Sequence, residues 1–162
     1  MSIKEFELFH GAVLTKLVRN DRPISLSMIE TKPEDSWAVY TINDEVNIFI
    51  KHSTTSRLIN RGKGGFSWTF AFNVENLAKL KGERPTYIAL VCGHKSVKDS
   101  RMEICFLSPF QVEQVIDFDR GTSQSITIRY ITGAKKLRVF QGRKVGIMIS
   151  LNDLDKWEIP GR

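Results

Sequence analysis

The stretch Val46-Asn47-Ile48-Phe49-Ile50-Lys51-His52-Ser53-Thr54 decides how this chain is read. Its β-branched and aromatic content marks a strand. Side chains of a strand alternate between faces, so Val46, Ile48 and Ile50 point one way while Asn47, Phe49 and Lys51 point the other. One cation therefore stands beside a phenyl ring near the end of the strand. Upstream, Asn43-Asp44 is a tight-turn pair, which makes Trp37 to Ile42 the hairpin partner.

Working outward, Ser2 with Glu5 forms a capping-box pattern, and Phe6, Phe9, Val13, Leu14 and Leu17 recur at helical spacing, predicting a helix to about Val18. Asn20-Asp21-Arg22-Pro23 ends it. Ile24 to Glu30 alternates as a strand with Ile24, Leu26 and Met28 on one face, and Thr31 to Ser36 turns the chain into Trp37. On the other side of the central stretch, Thr54 to Gly65 has no periodicity and reads as a mobile loop. Phe66 to Phe72 alternates clearly. Asn73 caps a short helix through Leu77 and Leu80 that stops at Gly82.

Tyr87 to Cys92 is an almost unbroken apolar run, as expected of a strand covered on both sides, with Met102 to Leu107 as its partner. Ser108-Pro109 supplies N-cap and first residue for a helix carrying Val112, Val115 and Ile116. The remainder alternates as Ile126 to Tyr130, Leu137 to Phe140 and Val145 to Leu151, with basic side chains at every second position. These elements predict an α+β domain spanning 1–162. It has a mixed central sheet with an N-terminal helix and two short helices, an αβββαβ core over 5–93, and a strand-rich extension over 102–162.

At 162 residues and 41% hydrophobic, the chain is long enough to bury a core without disulfides or metals. No apolar run approaches the roughly 20 residues that span a bilayer, and Met1 to Glu5 lacks a signal-peptide pattern, so a soluble cytoplasmic protein with no membrane partner is expected. Cys92 and Cys105 fall on successive strands, where a symmetrical hairpin sets them opposite one another. They read as buried free thiols, and without a CxxC spacing they give no zinc signal.

The charge is not evenly spread. Residues 46–74 contain no Asp or Glu and carry Lys51, Arg57, Arg61 and Lys63. Residues 120–152 also contain none and carry Arg120, Arg129, Lys135, Lys136, Arg138, Arg143 and Lys144. Eleven of the 24 basic residues and none of the 18 acidic ones lie in these windows, so the rest of the chain is slightly acidic although the net charge is +6. Clustered positive charge attracts polyanions and gains affinity by counterion release, which points to nucleic acid. His52 and Ser53 are positioned to donate to a phosphate, and Trp68, next to the loop, is a candidate for base stacking.

The order helix, three strands with a hairpin between the second and third, helix, strand, together with Ile48-Phe49-Ile50-Lys51-His52-Ser53-Thr54, resembles the core of the PD-(D/E)XK nuclease superfamily over roughly 5–93. That resemblance implies a hairpin carboxylate at Asp44, the family lysine at Lys51, and a helix-borne acid at Glu7. Glu30 is available as a migrated acid. In the family, two carboxylates hold Mg²⁺ and the lysine orients or activates the attacking water. Phe49 stands where the acid two before the lysine is expected, which implies a metal site that has lost a ligand.

Other enzyme classes lack their signatures. There is no Gly-x-Ser-x-Gly or HExxH, and Arg61-Gly62-Lys63-Gly64-Gly65 lacks Walker spacing. Three expectations follow. The first is a nucleic-acid-binding protein, with DNA favoured over RNA, on a nuclease-like scaffold with no resident cofactor. The second is a Mg²⁺-dependent nuclease using Asp44, Lys51 and Glu30 or Glu7. The third is an interaction or inhibitor module of a bacterial or phage system that meets an acidic protein through its basic face.

Overall fold

The Asn43-Asp44 turn adopts the conformation its residues tolerate: both have positive φ, 54° and 56°, and with Glu45, whose N–H donates to Ile42 O, they make a three-residue connection. It joins β2 (Trp37–Ile42) to β3 (Val46–Ser53) in a register that pairs Ile42 with Val46 and Trp37 with Lys51. The computed structural model describes residues 3–19, 23–95 and 102–160.

Helix α1 (Glu5–Val18) precedes this hairpin and buries Phe9, His10, Val13 and Leu17. Its N-terminus differs from the predicted one. Ser2 lies outside the described residues, and Lys4 is the N-cap, its backbone N–H donating to Glu7 Oε2 at 2.9 Å. Glu5 is drawn instead to a histidine described below. Strand β1 (Leu26–Lys32) starts and ends two residues later than predicted and is irregular between Met28 and Glu30. That bulge switches the outward alternation: Leu26 and Met28 pair with Ile42 and Tyr40, whereas Glu30 and Lys32 pair with Val39 and Trp37 on the opposite face.

The segment predicted as a loop, Thr54 to Gly65, contains a strand. β4 (Ser56–Ile59) pairs antiparallel with β5 (Gly65–Phe72) through a turn in which Gly62, Gly64 and Gly65 all have positive φ. A Cβ on Gly65 would run into the carbonyl of Tyr130, so only glycine fits. β4 carries no hydrophobic alternation because it is an edge strand, held by backbone pairing on one side.

Helix α2 (Val74–Leu80), capped by the Asn73 side chain, leads into β6 (Thr86–Cys92), and β7 (Glu103–Leu107), α3 (Pro109–Val115), β8 (Gln124–Ile131), β9 (Lys136–Phe140) and β10 (Ile147–Ser150) follow. β6 lies parallel to β3, so the first sheet runs β1-β2-β3-β6-β7 and is mixed. The second, antiparallel throughout, runs β10-β9-β8-β5-β4. Of the C-terminal strands, β7 joins the first sheet and β8, β9 and β10 complete a sheet begun by β4 and β5.

Three layers result. Phe9, Val13 and Leu17 of α1 pack on Tyr40, Ile48, Ile50, Ala89 and Val91 of the first sheet. The opposite face of that sheet, with Trp37, Val39, Phe49, Ile88 and Leu90, packs on Trp68, Phe70, Ile126, Ile128 and Val139 of the second. Strands β2, β3 and β6 are covered on both sides, which accounts for their continuous apolar runs. The two cysteines do not face each other: Cys92 pairs with Glu103 and Cys105 with Leu90. A two-residue slip keeps every side chain on its own face, so both thiols stay in the core, free, and burial pushes them up in pKa.

Candidate nucleic-acid interface

The second sheet has one face in the core and one in solvent. Trp68, Phe70, Ile126, Ile128, Leu137 and Val139 point inward, and period-two alternation sends Ser67, Thr69, Thr127, Arg129, Lys136 and Arg138 outward. The five strands contain no Asp or Glu.

Strand register turns sequence-distant cations into a row. Arg57 pairs with Ser67, Ser67 with Arg129, and Arg129 with Arg138, so one line across four strands reads Arg-Ser-Arg-Arg. With strands roughly 4.8 Å apart, it is about 14 Å long. The guanidinium carbons of Arg129 and Arg138 lie 5.2 and 4.4 Å from the centroid of the Phe140 ring, which holds both by cation–π attraction. Beside the row, the Thr69 and Thr127 hydroxyls are 3.5 Å apart.

The hairpin tips extend this surface. Thr132 N donates to Gly64 O, so the β4–β5 turn bearing Arg61 and Lys63 adjoins the β8–β9 turn bearing Lys135. An open cleft of about 630 Å³, lined by Asn60, Arg61, Lys63, Arg129, Ile59 and Ile131, lies there. Arg143 and Lys144 are on the β9–β10 turn at the other end of β9, roughly 16 Å away at about 3.3 Å per residue. Neither windowed segment shares in the ion pairs of the described residues, apart from His52; those join Lys16 to Asp155, Lys32 to Glu75, His52 to Glu5 and Lys79 to Glu30.

The remaining predicted site residues lie elsewhere. Lys51 faces the interior between the sheets. Its Nζ donates to Ala71 O at 2.5 Å and Asn76 Oδ1 at 3.3 Å, and sits 5.6 Å from the centroid of Phe72. Burial lowers its pKa, partly countered by Asp35. His52 is buried on the opposite face against α1, and the Ser53 hydroxyl accepts from Thr55 N. Trp68 is 1% exposed and donates through Nε1 to Gly93 O at 2.8 Å, so the proposed stacking ring is a core residue. The alternation that sets Trp68 with Phe70 and Phe72 on one face already marked that face as core; only nearness to the loop suggested stacking.

The four carboxylate-or-lysine positions of the nuclease reading do not converge. Asp44 is in the hairpin turn, seven residues from Lys51 along an extended strand, about 20 Å away. Glu30 shares the inner face with Phe49 through the bulge but is bound by Lys79 of α2. Glu7 caps α1. Phe49 is fully buried, stacked 5.5 Å from Trp37. Mg²⁺ demands hard oxygens in near-octahedral array, and among the described residues no three His, Cys, Asp or Glu side chains gather to hold a metal. These residues do not fit that ion.

Sequence reasoning missed one cluster. His10 Nε2 is 3.0 Å from His52 Nδ1 and 3.2 Å from Ser36 O, while His52 Nε2 is 3.2 Å from Glu5 Oε1. Phe6 stacks on His10 and Phe9 on His52. Spacing in the sequence gave no signal, because the partners are 42 residues apart and meet only when α1 lies on β3.

No protein-family model, curated protein or solved structure matches this chain. Among the described residues no helix is long and apolar enough to cross a membrane.

Proposed function

We propose that this chain is a nucleic-acid-binding protein that grips the phosphate backbone with the outer face of its second sheet. The observation that supports this most directly is the row Arg57, Ser67, Arg129 and Arg138 on a sheet with no carboxylate. Two acid-free windows, separated by 45 residues of sequence, unite there because β5 pairs with β8. Arg61, Lys63, Lys135 and Lys136 enlarge the field at one end, and serine and threonine hydroxyls between the cations suit phosphate and sugar oxygens. Exposed Ile131 and Met148, on the outward half of the alternation, add apolar contact area.

Kinship with the PD-(D/E)XK scaffold is part of the same reading. In its favour are the order α1, β1, β2, β3, α2, β6, with β4 and β5 inserted before α2, the β2–β3 hairpin and the parallel β3/β6 pair. On this view Phe49, with Trp37 and Phe72 around it, fills the place of the metal, and the second sheet has become the binding surface.

Fluorescence anisotropy with labelled duplex and single-stranded DNA and RNA, at several salt concentrations, tests the proposal. Affinity should fall steeply with salt, by about a thousandfold or more from 50 to 200 mM if six or more phosphates are neutralised. Salt-insensitive or absent binding rejects it. Pull-down from nuclease-treated extract gives the competing outcome, an acidic protein partner that remains when nucleic acid is gone.

A further inference from the structure

We propose that Arg129 and Arg138 form a discrete site for a phosphate dianion, on which a terminal phosphate monoester docks in preference to a backbone diester. This rests on the nucleic-acid reading for its source of phosphate, but the site is argued from its own geometry.

Arg129 and Arg138 are direct register partners on adjacent antiparallel strands. Like charges in that relation repel and destabilise the pair. Proteins relieve such pairs with a carboxylate, yet the sheet has none, and neither arginine takes part in the ion pairs of the described residues. The two cations are also restrained. Both lie against the ring of Phe140, and Arg138 Nε donates to Val145 O at 3.2 Å, leaving its two terminal nitrogens uncommitted.

Arg129 supplies the second observation. Its Nε is shielded from solvent and has no acceptor. A guanidinium N–H out of water without an oxygen to receive it is costly, and with Nε shielded it is the terminal nitrogens of Arg129 that are left to meet an anion. Arg129 also lines the open cleft at the hairpin tips, so a ligand has a route to it. Ser67, beside Arg129 on β5, brings a hydroxyl to the same row.

The charge count selects the ligand. A diester carries one negative charge, whereas a monoester carries close to two at pH 7 and has three oxygens free to accept. Two planar guanidiniums side by side match that dianion, and their forks favour bidentate contact in a way lysine cannot reproduce.

Thermal unfolding of the full chain with inorganic phosphate, against chloride at equal ionic strength, reads the site directly. Phosphate should raise Tm saturably and chloride should not. A duplex with 5′-phosphate should bind about tenfold tighter than the same duplex with 5′-hydroxyl, the factor that 1.4 kcal/mol represents. Arg138→Lys and Arg129→Lys, which keep the charge, should remove both effects, whereas Arg61→Ala should weaken both duplexes equally. If one lysine variant fails to fold by circular dichroism, the other carries the comparison. Lysine variants that keep the phosphate effect, or phosphate acting no differently from chloride, overturn the site. Tight but equal binding of the two duplexes overturns the preference for a terminal phosphate and leaves the nucleic-acid reading standing. A phosphate effect with no duplex binding keeps the site, as one for free phosphate, and rejects the nucleic-acid reading.

Discussion

His10 and His52 share a hydrogen bond of 3.0 Å beneath Phe6 and Phe9, joining the first turns of α1 to the end of β3. Burial, and the charge His52 would carry, lower the pKa of His10 to about 4, and burial also lowers that of His52 against the pull of Glu5. Both rings are thus neutral in the folded protein at pH 7. One orientation satisfies the geometry: His10 Nε2–H donates to His52 Nδ1 or Ser36 O, and His52 Nε2–H donates to Glu5.

The pH dependence follows from that pair. The unfolded chain takes up a proton at His10 near pH 6.5 and the folded chain only near 4, so stability is full above 6.5 and declines as pH falls through the interval. From pH 7 to 5 the loss from His10 is about 2 kcal/mol at roughly 1.36 kcal/mol per unit. Urea unfolding at pH 7, 6 and 5 should show it, and the step should shrink in His10→Gln. A midpoint constant from pH 7 to 5 would contradict the buried neutral pair.

Lys51 is a structural cation. Replacing it with Met keeps the aliphatic stem but takes the Lys51 donor from Ala71 O and leaves Asn76 Oδ1 with only the Asn73 N–H, at a cost of about 1–3 kcal/mol. Nucleic-acid affinity measured on the folded variant should equal that of the parent chain. A tenfold weaker Kd with unchanged stability would return Lys51 to the binding surface.

Phe49→Asp tests the proposed kinship with metal-dependent nucleases. The ring is fully buried against Trp37, with Phe72 at 6.0 Å. Deleting such a ring costs about 3–5 kcal/mol, and an unpaired carboxylate there costs more. The variant should be largely unfolded, with Mg²⁺ giving no recovery in a chemical denaturation series. A folded, Mg²⁺-stabilised variant would mean that this position can help hold a metal.

Cations on the outer sheet should act through salt. Arg57→Ala, Arg61→Ala and Lys63→Ala should each lower affinity alike for unrelated sequences and reduce the slope of log K against log salt by about 1. Arg143→Ala and Lys144→Ala, at the far turn, should change the slope less. Equal slopes for all five variants would separate the interface from the cleft at Arg61 and Lys63.

Much of the local structure is legible residue by residue. Asn43-Asp44 marks its turn because both residues tolerate positive φ, and Asn73 and Ser108-Pro109 mark their caps because short polar side chains accept from backbone N–H groups three residues on. The helix carrying Phe9, Val13 and Leu17, and the alternation of Phe66 to Phe72, are equally plain. β4 was hidden because an edge strand needs only a partner's backbone, which leaves no mark on its own side chains. The bulge at β1 likewise moved Glu30 to another face without a sequence cue.

The residues alone determined the α+β class, the strands and helices that bury apolar faces, and the two acid-free windows; each depends on neighbours along the chain or on simple charge. Tertiary structure decided that Lys51 is turned between the sheets, that His10 finds His52, and that Arg57, Arg129 and Arg138 stand in one row. Those outcomes depend on strand order and register, set by the joint packing of two sheets and a helix over distances that no local pattern encodes.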